Sequence, residues 1–264
     1  MKAISRTSAA CLVAAVTLFG REAGSAEPRL APVPVECATQ GVDGAPAIGF
    51  PNLTRAMTQR QKIVALAIGS SVVGRSRPGG DYYGLVERFL ETTFKGLDVV
   101  LVQRGVSGEL ARDGADRIRL ETARFTPDVV FWQVGTADAM AGIDPAETRE
   151  IVRSTIRWLK EHEIDVVLIG LHYTPSLRDD GPYQAMRRAI SDVARAEGVL
   201  RIRRYEVGET LDRLSRSPSE TAPFTDYGSL GDTCMAEHLA RSLATGLFAR
   251  RVRGDLDKPQ PRAK

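Results

Sequence analysis

Three short turns hold the residues that could do chemistry in this chain. Gly69-Ser70-Ser71 ends an almost unbroken apolar run over residues 63–68; Gly105-Val106-Ser107-Gly108 follows a run at 98–102; Gly135-Thr136-Ala137-Asp138 follows a run at 128–132. Runs of this kind predict strands buried on both faces of a parallel sheet, and open α/β sheets bind ligands just past the carboxyl ends of their strands. Taken singly, Gly69-Ser70-Ser71 serves equally well as a tight strand-to-helix connection, because glycine and serine dominate turns for backbone reasons alone. Three such turns at one sheet edge predict a site. It would offer serine hydroxyls, backbone N–H groups and one carboxylate.

A serine hydroxyl at neutral pH is a poor nucleophile without an adjacent base, and the chain has only three histidines, His162, His172 and His238. His162 sits between Glu161 and Glu163 at the end of a helix, at the opposite end of the sheet from the strand tips, and reads as a surface residue. His238 falls within the last helix and reads as packed or exposed. His172 follows the fourth strand at the same edge as Ser71, but two strand spacings, roughly 10 Å, separate those strands. Direct contact needs the exit loop to fold inward; otherwise His172 lines the pocket rim. With no His-Glu-x-x-His, no Cys-x-x-Cys and so few histidines, no metal and no cofactor are expected.

The elements that must position these turns alternate regularly. Strands are predicted at residues 62–68, 98–102, 128–132, 164–171 and 200–202, and helices near 82–94, 111–122, 145–161, 183–197 and 233–249. The alternation specifies a three-layer α/β/α sandwich around a five-stranded parallel sheet, and the crossover rule points to the flavodoxin-like order 2-1-3-4-5.

The chain has 264 residues, enough for one core. Lys2 and Arg6 precede an apolar run at 9–19 and small residues at 24–26, the pattern of a signal peptide cleaved near Ala26, which predicts export to the periplasm or medium. Residues 27–61 read as an extended arm with a short helix at 52–60, residues 62–252 as the domain, and residues 253–264 as a disordered tail. Lys2, Arg6 and Arg21 less Glu22 carry +2 of the formal +3 charge, leaving about +1 on the mature chain, so nothing points to nucleic acid. No membrane span is predicted in the mature chain, and the oligomeric state is not readable. Cleavage removes Cys11 and leaves Cys37 and Cys234, which predicts a disulfide in an oxidising compartment.

In order, spacing and position on strands, the three turns resemble the blocks of the SGNH (GDSL-like) hydrolases, in an exported bacterial branch whose nucleophile block reads Gly-Ser-Ser. The second block follows the pair Arg104-Gly105, and the third ends a strand reading Trp132-Gln133-Val134-Gly135-Thr136. The resemblance implies Ser71 as nucleophile, the N–H groups of Ser71 and Gly108 as oxyanion donors, and Ser70, Gly105 and Asp138 around the pocket, to which Tyr173, after the fourth strand, could add a hydroxyl. It implies a polysaccharide or small-molecule ester as substrate. Two signature residues are replaced: the asparagine of the third block falls on Ala137, and the Asp-x-x-His block falls on Asp226 to Ser229, with no histidine. Losing one oxyanion donor costs about a hundred- to a thousandfold, and losing the base on the order of a millionfold. The two expectations are therefore an ester hydrolase with a degenerate site, with His172 and Asp226 as surrogate partners, or a glycan- or lipid-binding protein on the same fold.

Overall fold

The apolar runs become the strands of one parallel sheet. A computed structural model describes Cys37 and residues 48–69, 82–216 and 227–256. Strands β1 (Lys62–Ile68), β2 (Asp98–Gln103), β3 (Val129–Gln133), β4 (Asp165–Ile169) and β5 (Leu200–Ile202) lie in the order β2-β1-β3-β4-β5, all parallel. This is the predicted order, with β1 and β3 at the centre. Helices α1 (Pro51–Arg60), α2 (Tyr82–Thr93), α3 (Ala111–Phe125), α4 (Thr136–Met140), α5 (Pro145–Glu161), α6 (Gly181–Ala196), α7 (Arg204–Arg216) and α8 (Tyr227–Leu256) complete it. The described residues all belong to one compact unit; residues 1–30 lie outside them.

Side chains alternate across the strands, so the sheet separates two cores. Ile63, Ala65 and Ala67 of β1 and Phe131 of β3 pack with α2, α7 and α8, while Leu66, Ile68, Val130 and Trp132 pack with α3, α5 and α6. Trp132, 1% exposed, belongs to this second core. The amino-terminal edge of the sheet is tied by carboxylates. Asp165 accepts from the backbone N–H groups of Asn52 and Leu53 at 3.0 and 2.9 Å, capping α1 from across the chain. Asp128 accepts from Val64 N at 2.9 Å and pairs with Arg60.

Three elements depart from the sequence expectation, the first being the short helix α4 in place of a plain turn. Helix α7 replaces an expected connection; it packs by Tyr205, Val207 and Leu211. Its Gly208 interrupts the apolar pattern because a Cβ there would lie 2.6 Å from Tyr173 Cβ. Helix α8 begins at Tyr227 rather than near 233 and runs to Leu256, so residues 253–256, expected in the tail, are helical. The expected signal peptide and the tail beyond 256 lie outside the described residues.

Cys37 and Cys234 form a disulfide, as expected, both fully buried. Next to it His238, 9% exposed, places Nε2 3.0 Å from Cys37 O, a packing role.

Candidate functional site

The carboxyl ends of β1 and β3 approach so closely that only glycine fits between them. Gly69 has φ +124°, and a Cβ there would lie 2.4 Å from Gln133 O. Gly135, at φ +100°, caps α4, and a Cβ there would lie 2.8 Å from Leu171 Cδ1. The second turn joins the same edge, where Arg104 N donates to Ala67 O at 2.9 Å. Gly105 is half-buried; Gly108, at φ +73°, is exposed, with nothing within 4 Å of an added Cβ.

Asp138 links the second and third turns. Its Oδ1 accepts from Ala111 N at 2.9 Å, so it caps α3, the helix that leaves the second turn. This contact supplies the charge favoured at a helix N-terminus where Leu110 offers no side-chain cap. Asp138 is 2% exposed, and its Oδ2 has no partner among the described residues. Burial raises its pKa above the ordinary 3.8, and the Ala111 N–H opposes part of that rise.

His172 stands just past β4. Its backbone N–H donates to Thr136 Oγ1 at 3.0 Å, and its carbonyl accepts from Tyr183 OH at 2.5 Å. Desolvation first, then the positive charge of Arg204, lower the imidazole from 6.5 to about 4. Solvent reaches this exposed residue, which weakens both effects relative to a sealed site. Among the described residues no carboxylate bonds the ring, so the orienting partner of a catalytic histidine is missing from them.

Tyr173, expected at the pocket, is buried instead. Its hydroxyl donates to Asp212 Oδ2 at 2.9 Å and its ring meets Tyr205 edge-on at 5.1 Å, so both the ring and the hydroxyl serve the packing of α7. Tyr83 is likewise core, stacked on Phe131 at 5.9 Å. His162 is exposed at the end of α5, with Nδ1 2.7 Å from Trp158 O and its ring 4.0 Å from that of Trp158. Ser70, Ser71 and Asp226 lie outside the described residues.

The structure thus brings Gly69, Gly105, Gly108 and Asp138 to one edge with His172 further along it. Sequence reasoning gave no role beside His172 to Thr136, Tyr183 or Arg204. Arg204 belongs to no motif, and Tyr183 was legible only as a helix start. Among the described residues, no group of three or more His, Cys, Asp and Glu side chains could hold a metal ion, and no helix is long and apolar enough to cross a membrane.

A parallel five-stranded sheet in this order, with its site turns after the first, second and third strands, is the SGNH-hydrolase fold. Residues 34–248 match the Non-GDSL lipase-like family, and the chain belongs to that family. Solved structures agree on the fold. Axe2, an acetylxylan esterase from Geobacillus stearothermophilus, is 20% identical, covers 75% of this chain and 96% of its own, and superposes with a TM-score of 0.56. LAE5, an alpha/beta hydrolase enzyme from the metagenome of Lake Arreo in Spain, is 16% identical over 70% of this chain and 96% of its own, with a TM-score of 0.56. TesA is 19% identical over 68% and 97%, with a TM-score of 0.54. Identities of this size speak for the fold alone. Catalytic mutants of Axe2 replace a serine, an aspartate or a histidine with alanine. No curated protein matches the chain in sequence.

Proposed function

We propose that this chain is an exported SGNH-type ester hydrolase with a degenerate site, acting through Ser71 on O-acyl groups of carbohydrates or on small lipid esters. The observation that carries the reading is the edge itself. Gly69 seated against Gln133, together with Asp138 capping α3, holds the first, second and third turns at one edge, which supports a serine after β1 working with backbone donors from the second turn. Ser71 Oγ attacks the ester carbonyl and its proton passes to a base; the alcohol leaves protonated; water then cleaves the acyl-enzyme, releasing the acid and the free serine. The N–H groups of Ser71 and Gly108 take the oxyanion. His172 is the histidine at this edge, and its low proton affinity makes it a weak base at neutral pH, so turnover is slow.

The same low affinity, with Ala137 in the third block and no histidine within Asp226 to Ser229, favours a second reading, in which the fold binds an ester without cleaving it. One experiment separates the two. Purified residues 27–264 are assayed on acetyl esters and labelled with a fluorophosphonate, beside Ser71→Ala. Turnover and labelling that both vanish in the variant support the hydrolase; equal inertness of two folded proteins supports the binding module.

A further inference from the structure

Near the ends of β4 and β5 stand three arginines, Arg187, Arg201 and Arg204, of which two share a single carboxylate. Ile169 is in register with Ile202, and Gly170 N donates to Ile202 O at 3.1 Å, so His172 and Arg204 follow the ends of neighbouring strands, three and two residues past the paired positions. Arg204 is half-buried and, among the described residues, forms no ion pair. Nearby, Arg187 and Arg201 share one carboxylate, Glu206, at 3.0 and 3.5 Å. Arg201, with a side chain only 13% exposed, reaches back over β4, where Gly170 leaves room: a Cβ there would lie 3.1 Å from its guanidinium. No carboxylate is among the charges acting on His172 or Tyr183; Arg204 acts on both. Withdrawing a guanidinium from water is costly unless an anion pairs with it.

We propose that Arg204, together with the His172 imidazole, forms a subsite for an anionic group, a carboxylate or a phosphate, carried by the ester or ligand this site binds. The inference rests on the reading of the edge as a substrate site. Strand β5 lies three positions from β1 in the sheet. That is roughly 14 Å at ordinary strand spacing, shortened by the inward reach of an arginine side chain. The anion therefore belongs to a part of the molecule about one sugar ring or short chain away from the scissile ester. Acylated acidic sugars and phosphate-bearing esters have this form; uncharged acetyl sugars do not.

The test reads binding and turnover separately. The His172 imidazole is followed by NMR while the full mature chain is titrated with benzoate, inorganic phosphate and, as an uncharged control, benzamide. Benzoate or phosphate should give a saturable shift that benzamide does not, and the preferred anion identifies the group. Arg204→Gln should weaken that affinity by ~10-fold or more, the scale of a charge-assisted hydrogen bond, with partial recovery in Arg204→Lys. An unsaturable response, equal response to benzamide, or unchanged affinity in Arg204→Gln overturns the proposal. The wild-type comparison of benzoate with benzamide decides even where a variant fails to fold. In the turnover arm, KM for an acetyl ester bearing a free carboxylate is compared with that of its methyl ester. Turnover without charge preference sinks the anion subsite alone. Saturable anion binding without turnover sinks the hydrolase reading alone.

Discussion

Breaking the Cys37–Cys234 bridge should cost this protein a large share of its stability. The bridge joins residues 197 apart in sequence, and both cysteines are fully buried. In the loop-entropy model a loop of that length removes about 18 cal/mol/K from the unfolded chain, or about 5 kcal/mol at 25 °C. Replacing both cysteines with alanine adds a small cavity term on the order of 1 kcal/mol. The assay is guanidinium unfolding of residues 27–264 followed by far-ultraviolet circular dichroism, for wild type and Cys37→Ala/Cys234→Ala. The variant should unfold with a free energy lower by about 4–6 kcal/mol and with a steeper denaturant slope, because the freed chain exposes more surface. A thermal midpoint lower by about 10 °C or more should accompany it. A loss under about 1 kcal/mol, with an unchanged slope, would refute the argument, since the bridge would then not restrict the unfolded chain.

Three further outcomes follow from the site. Gly69→Ala forces a Cβ to 2.4 Å from Gln133 O at φ +124° and should destabilise by about 2 kcal/mol or more, read as a shift in urea midpoint; a change within error would mean the two strand ends separate freely. Because burial raises the pKa of Asp138, the folded state holds its proton more tightly than the unfolded chain does. The stability this group contributes is then complete below the ordinary value of 3.8 and falls as pH rises through the folded value. Asp138→Asn should therefore lose that fall, gaining on wild type between pH 4 and pH 7; a difference that ignores pH would contradict it. Finally, the His172 imidazole should titrate at about 4 by NMR and stay neutral at pH 6, and Arg204→Gln should move its midpoint upward; a wild-type midpoint near 6.5 would show the ring to be open to water and clear of Arg204.

The fold was legible because its signals are long and redundant. The apolar runs that became β1 and β3 are buried on both faces, and the helix stripes of α5 recur over 17 residues. Helix α7 was not legible, because contact with Tyr173 imposes a glycine on its buried face and breaks the periodicity that marks helices. At the site, glycines and Asp138 could be placed from spacing. The direction of Asp138 could not, since its partner Ala111 is 27 residues away and only the folded edge brings them together. Tyr173 illustrates the converse: a tyrosine beside a strand tip suggests a pocket hydroxyl, yet Asp212, from a helix invisible in the sequence, takes that hydroxyl as its hydrogen-bond donor. Arg204 carried no motif, and its significance comes from which charges fail to surround it.

The close seats of Gly69 and Gly135 separate two kinds of inheritance in this family. Both glycines answer to packing, one against the Gln133 backbone and the other against Leu171 and Ile190, so a descendant that abandoned ester chemistry would still be compelled to keep them. An asparagine or a histidine that only serves turnover carries no such obligation and can drift to alanine or disappear while the sheet folds as before. Signature glycines thus record ancestry of the scaffold, and whether a given descendant still cleaves anything has to be read from the residues that packing leaves free to change.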